Sequence, residues 1–116
     1  MNLDTAIHKH MDWKVKFRTA ISKKEQMDAT TIAKDDCCEL GKWLHGEGKA
    51  KCGGLPSYVT VLSKHAAFHL EAGKVASAIN ASKYTEAETM LSGNSAFTSV
   101  SSDVGIALMR LKKEAV

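Results

Sequence analysis

The chain has 116 residues, 44% of them hydrophobic, and a net charge of +3, which suits one domain with one core over residues 1–116. No apolar run approaches the ~20 residues of a membrane span, and the N-terminus lacks the pattern of a signal peptide, so we expect a cytoplasmic protein without a membrane segment. Its lysines are scattered, which argues against nucleic-acid binding. Three cysteines without an export signal favour reduced thiols over disulfides.

Apolar residues recur at helical spacing along most of the chain, and no segment alternates as a strand would. This pattern predicts an all-α fold, a four-helix bundle with an additional short inserted helix. The four main predicted helices cover residues 3–22, 57–80, 82–92 and 95–113.

The segments between the first two main helices carry the inserted helix. A polar linker follows residue 22 and ends at a predicted N-cap near Asp35 or Asp36. The stretch "CCELGKWLHGEG" then predicts a short helix, which we expect to have little core of its own. "KAKCGG" predicts a loop, and Pro56 marks the start of the long helix.

Three of the five histidines are predicted to point inward. At ~100° per residue, His65 and His69 both fall within the apolar stripe of the long helix, and His10 falls within that of the first helix. His8 falls nearly opposite and should face solvent. A single inward histidine is most often a hydrogen-bonded core residue. Three on two helices of one small bundle favour a shared metal ion, because one ion would satisfy a nitrogen on each.

The residue types around these histidines favour zinc over other metals. The spacing of His65 and His69 matches that of H-E-x-x-H helices, but no glutamate stands between them to act as a general base. A di-iron site would need Glu-x-x-His pairs, and covalent haem would need C-x-x-C-H; both are absent. Three imidazoles and one thiolate suit a tetrahedral zinc ion. Helical geometry does not choose between Cys37 and Cys38 as the fourth ligand.

Four short blocks resemble the chemoreceptor zinc-binding (CZB) family. "CELGKWL" at 38–44 is similar to its Cys-x-Leu-Gly-x-Trp-Leu signature, "HMDWK" to its first-helix block, "LPSY" to the start of its long helix, and "HAAFH" to its H-x-x-F-H block. The resemblance implies that His10, Cys38, His65 and His69 hold one Zn²⁺, with Cys38 rather than Cys37 as the thiolate ligand.

The resemblance also implies a function in bacterial signal transduction, including chemotaxis. Such domains sit at the end of chemoreceptors or beside a diguanylate cyclase, are dimeric, and have no catalysis of their own. We therefore expect a homodimeric sensor of zinc or of oxidants that act on the zinc thiolate, with an output domain as partner. The alternative is a structural bundle, stapled by permanently bound zinc, that serves oligomerisation.

Several residues near the predicted site have simpler expected roles. Cys37 is expected to pack as a small apolar residue, Cys52 to be an exposed thiol, and His45 to lie at a solvated helix end. Asp36 is expected either to cap the inserted helix or to contact a ligand histidine. Trp13 is expected to form part of the core and to wall the site.

Overall fold

A computed structural model describes residues 3–115, and within them the chain forms eight α-helices and no strand. The helices are α1 (Leu3–Met11), α2 (Trp13–Lys23), α3 (Ala29–Ile32), α4 (Glu39–His45), α5 (Glu47–Cys52), α6 (Tyr58–Asn80), α7 (Tyr84–Met90) and α8 (Ala96–Glu114). The predicted all-α bundle is confirmed. None of these helices is both long and apolar enough to cross a membrane.

The long helix α6 is the centre of the bundle, and it packs against α2, α3, α7 and α8, while α1 packs mainly on α8. Its buried residues follow the apolar stripe that the sequence predicts. The largest apolar side chains with no exposed surface are Phe17, Phe68, Leu44, Ile79, Leu91, Leu108 and Leu111. They form one core, and the sequence-predicted bounds of α6, α7 and α8 agree with the structure to within two residues.

The predicted first helix over residues 3–22 is instead two helices that meet at Asp12. The interruption is local, because the Asp12 amide still donates to the His8 carbonyl at 3.1 Å and the Lys16 amide to the Asp12 carbonyl at 3.0 Å. Helix α2 ends at Lys23, and the left-handed backbone of the following Lys24 (φ 55°) turns the chain away.

The predicted polar linker contains a helical turn, α3. The Asp28 side chain accepts a hydrogen bond from the Thr31 amide at 3.2 Å, which caps this turn. Its continuation packs closely on α6, since a Cβ added at Gly73 would come within 2.6 Å of the Ala33 Cβ. The prediction of a loop at "KAKCGG" is also wrong, because most of this stretch belongs to α5.

The inserted helix α4 is capped by Cys38 rather than by Asp35 or Asp36. The Cys38 Sγ accepts the Gly41 amide at 3.2 Å, the role that a serine or aspartate oxygen plays at most helix starts. The expectation that this helix has little core of its own is wrong. Leu40 is 2% exposed and Leu44 is fully buried, so α4 is anchored by apolar contacts that need no metal.

The last turn of α8 is tied to the starts of two other helices. The Glu114 carboxylate accepts hydrogen bonds from the Ser57 amide at 2.8 Å and the Ser57 hydroxyl at 2.5 Å. Lys112 pairs with Asp4 at 2.6 Å. The Glu114 carboxylate places a negative charge at the amino end of α6, where it stabilises the helix.

Candidate metal centre

Four side chains from three segments converge at one point in the bundle. His10 lies near the end of α1, Cys38 directly precedes α4, and His65 and His69 lie one turn apart on α6. One potential ligand atom from each lies within 4.8 Å of all the others. Cys38 Sγ is 3.4 Å from the Nε2 atoms of both His65 and His69, which are 3.0 Å from each other.

These separations are close to those around a tetrahedral zinc ion. Zn–N distances of about 2.1 Å and Zn–S distances of about 2.3 Å put neighbouring donor atoms roughly 3.3–3.6 Å apart. The observed 3.0 and 3.4 Å differ from this range by a few tenths of an ångström at most. Cys38, His65 and His69 thus have nearly the spacing of zinc ligands, and His10, whose donor atom lies within 4.8 Å of theirs, completes a set positioned to bind one metal ion.

The backbone around Cys38 holds its thiol at the cluster. Cys38 is extended (φ −85°, ψ 164°), and α4 starts with the next residue. A Cβ at Gly41 would overlap the Asp35 carbonyl oxygen, so only glycine allows the first turn of α4 to lie against the chain that leads into it. This close approach also brings the Gly41 amide to the Cys38 sulfur, where it supports a thiolate.

The hydrogen bonds of the histidines leave nitrogen atoms free for a metal. His69 Nδ1 donates to the Ile32 carbonyl at 2.8 Å, which fixes the lone pair on Nε2, the atom that faces Cys38. Both ring nitrogens of His10 and Nδ1 of His65 are buried without a hydrogen-bond partner among residues 3–115. The Ala6 carbonyl lies near the His10 ring, but no donor–acceptor pair between them has hydrogen-bond geometry.

Burial keeps the three imidazoles neutral, the form that binds metal. Burial, followed by the nearby His69 ring, lowers the pKa of His10 to about 4, and the nearby Ala6 carbonyl opposes part of this decrease. Burial and the neighbouring His10 and His69 rings lower the pKa of His65 to about 2. Burial likewise lowers the pKa of His69, although its bond to Ile32 opposes the change.

The pKa of the Cys38 thiol shifts upward when no cation is near, whereas the pKa values of the histidines shift downward. Burial raises the pKa of Cys38, and the Gly41 and Leu40 amides counteract part of this increase. A neutral thiol is a poor metal ligand, so binding of a cation must release its proton.

The residues around the cluster differ from several expectations. His8 is exposed, as predicted, and His45 is the exposed last residue of α4, where it pairs with Asp35 at 3.2 Å. Cys37 is exposed rather than packed, and Cys52 is buried (5% exposed) rather than a free surface thiol. Cys52 is buried because it is the last residue of α5, which the sequence patterns did not predict, and Cys37 is exposed because it precedes the first turn of α4.

Asp36 has neither of the roles that were expected of it. Its carboxylate accepts from the Cys37 thiol at 3.6 Å, and the contact to a ligand histidine comes from the Ile32 carbonyl instead. Every residue has a main-chain carbonyl, so the identity of Ile32 gives no indication of this contact. It could be predicted from the sequence only if α3 were first predicted from the Asp28 cap. Trp13 is partly buried and walls the site beside His10 and Cys38, as expected.

Comparison with known protein families matches residues 10–76 to the chemoreceptor zinc-binding domain, a segment that contains all four converging side chains. The chain belongs to the CZB family. Searches of curated proteins and of solved structures found no match.

The CZB assignment and the donor chemistry identify the metal as zinc. Three neutral imidazoles and one thiol provide the mixed nitrogen and sulfur set that zinc accepts in tetrahedral sites. The two ring nitrogens of His10 fit the same conclusion, because a buried imidazole without any partner costs on the order of 1–3 kcal/mol and a bound ion would satisfy one of them. The zinc-binding helical bundle that the sequence predicts is thus confirmed.

Proposed function

We propose that the chain is a zinc-binding sensory domain in which His10, Cys38, His65 and His69 ligate one Zn²⁺ and ion occupancy sets the position of α1. The observation that carries the proposal is the convergence of four donor atoms from three separate segments. An ion held in this way links α1 to α6 and to the start of α4, and its loss removes that link.

Helix α1 has limited metal-independent support. Leu3 and Ile7 pack against the core but are only partly buried. Only Ala6 and His10 of its nine residues are buried. Ala6 contributes a single methyl group, and His10 costs free energy to bury unless a metal satisfies it. The ion pairs of α1 with Glu39 and Lys112 are exposed, and such pairs contribute at most about 1 kcal/mol. The break at Asp12 provides a place where α1 can turn away from α2.

Two inputs fit this arrangement. Free zinc would fill the site and dock α1, and chelation would release it. Oxidants would act through Cys38, which is partly exposed and would be a thiolate when bound, because conversion to sulfenic acid removes the sulfur as a ligand. Both inputs predict the same change in α1.

The alternative function is a structural bundle in which zinc stays permanently bound and only stabilises the fold. The buried Leu40 and Leu44 favour it for α4, which stays docked by its own apolar contacts. Leu40 and Leu44 give no support to a purely structural role of zinc at α1. A catalytic role is not part of the proposal, because four protein ligands leave a tetrahedral zinc ion no open position for substrate.

We further propose that the domain acts in the cytoplasm as a homodimer that controls a bacterial chemoreceptor or diguanylate cyclase output domain. These partners follow from the resemblance in the CZB motifs. Exposed apolar side chains on α6 and α8, among them Val59, Leu70, Ile106 and Met109, provide surface suited to contact with a second protein.

Hydrogen exchange measured by mass spectrometry tests the sensory proposal. Chelation of zinc from the wild-type protein should raise exchange in residues 3–11 well before residues 58–80, and added zinc should reverse this. A His10→Leu variant should show little zinc dependence in α1, while His8→Gln should behave as wild type because His8 is exposed. Equal loss of protection in all helices would contradict the sensory proposal and favour the purely structural role of zinc.

A further inference from the structure

A cavity lies directly against the metal centre, between α1, α2 and the start of α4. It has a volume of about 280 Å³. The residues that define it are Ala6, His10, Trp13, Lys16, Cys38 and Leu40. This volume is just below the ~300 Å³ at which sites for drug-sized ligands begin, so the cavity suits a small metabolite rather than a nucleotide or a peptide.

The cavity joins an apolar wall to an uncompensated positive charge. Ala6, Trp13 and Leu40 supply the apolar surface. Lys9 and Glu39, which also border it, neutralise each other in an ion pair. Lys16 has no carboxylate partner within residues 3–115, and its ammonium group lies 4.6 Å from the centre of the Trp13 ring.

The metal centre adds to this positive field from the other side. A zinc ion with one thiolate and three neutral imidazoles keeps one positive charge, and the Cys38 and His10 side chains that would hold it border the cavity. A cavity bordered by two positive groups attracts anions. An apolar wall opposite them selects anions that also carry a hydrocarbon part.

We infer that this cavity binds a small organic carboxylate, with its carboxylate toward Lys16 and its apolar part against Trp13 and Leu40. The inference rests on the proposed zinc site, because part of the positive field comes from the ion. Ligand and zinc are then coupled, and by linkage each raises the affinity of the other by the same factor. The cavity would thereby make zinc occupancy respond to a metabolite.

Benzoate, a rigid carboxylate of suitable size, is the probe for the test, and benzyl alcohol is its uncharged counterpart. Calorimetric titration of the zinc-loaded full chain should give one saturable benzoate site. The Lys16→Met variant, which keeps an apolar stem, should weaken benzoate binding about three- to tenfold. Lys23→Met is the control, since Lys23 lies on the same helix away from the cavity, and it should leave benzoate binding unchanged. Benzyl alcohol should bind more weakly than benzoate to the wild type.

Native mass spectrometry of the same samples separates failure of this inference from failure of the proposed function. If one zinc is present per chain and benzoate does not bind, or binds equally to wild type and Lys16→Met, the carboxylate site is wrong and the zinc site stands. If the chain holds no zinc, both the carboxylate site and the proposed zinc-sensing function are contradicted. If the apparent zinc affinity rises with benzoate in the wild type and not in Lys16→Met, the coupling is established.

Discussion

At Gly41 the first turn of α4 touches the chain that leads into it, and the position of the Cys38 sulfur depends on that contact. Gly41→Ala should displace residues 35–38, because the added methyl group would overlap the Asp35 carbonyl oxygen. We expect zinc affinity, measured by competition with a chromogenic chelator, to fall at least tenfold.

Gly54→Ala is the matched control for this substitution. A Cβ at Gly54 meets no atom within 4 Å, and its backbone is not left-handed, so its zinc affinity should equal that of the wild type. Unchanged affinity in both alanine variants would show that the close approach at Gly41 does not position the ligand.

The depressed histidine pKa values make the zinc-free protein acid-sensitive. His10 and His65 take up protons in the unfolded chain near pH 6.5 but stay neutral in the folded chain until about pH 4 and pH 2. The unfolded state therefore binds more protons below pH 6.5, and the free energy of unfolding falls as the pH drops from 6.5 toward 4.

Urea denaturation of the chelated protein at pH 7.5 and pH 5 measures this loss, which we expect to be about 2 kcal/mol for each of the two rings, or roughly 4 kcal/mol together. His65→Leu should lose less stability over the same interval, and His8→Gln should lose as much as the wild type because His8 is exposed. A zinc-free protein equally stable at both pH values would contradict the buried, neutral state of these rings.

At the scale of the elements, the amino end of α6 is capped by a side chain from the far end of the chain. Glu114→Ala removes the acceptor for the Ser57 amide and hydroxyl, and with it the negative charge at the start of the helix that carries two histidines. We expect a loss of about 1–2 kcal/mol in urea denaturation of the zinc-loaded protein. Glu88→Ala, at an exposed position of α7, should cost under about 0.5 kcal/mol. Equal losses in the two variants would rule out the cap.

Helical periodicity was sufficient to predict the long elements, because each buries a continuous apolar stripe. Periodicity failed to predict the helices that are only one or two turns long. α3 is held by the Asp28 cap and by its approach to Gly73, and neither contact produces a repeating pattern. The break at Asp12 left no signal, because the residues on both sides keep helical hydrogen bonds and apolar spacing.

At the scale of the whole molecule, the inward direction of His10, His65 and His69 was predictable because each lies on an apolar stripe, and all three are buried. Their meeting point was not, since it depends on how α1 packs on α8 and α8 on α6. The choice of Cys38 over Cys37 came from the CZB motif alone. In the structure it corresponds to a local cause, the capping bond from Gly41 that turns the Cys38 sulfur inward.

The central claim, one zinc ion held by His10, Cys38, His65 and His69, is tested most directly by metal content. Native mass spectrometry of freshly purified, never-chelated protein should find one zinc per chain in the wild type. The exposed Cys37 lies outside the cluster, so Cys37→Ala should retain the zinc, while Cys38→Ala should lose most of it. Zinc retained in Cys38→Ala, or absent from the wild type, would contradict the account.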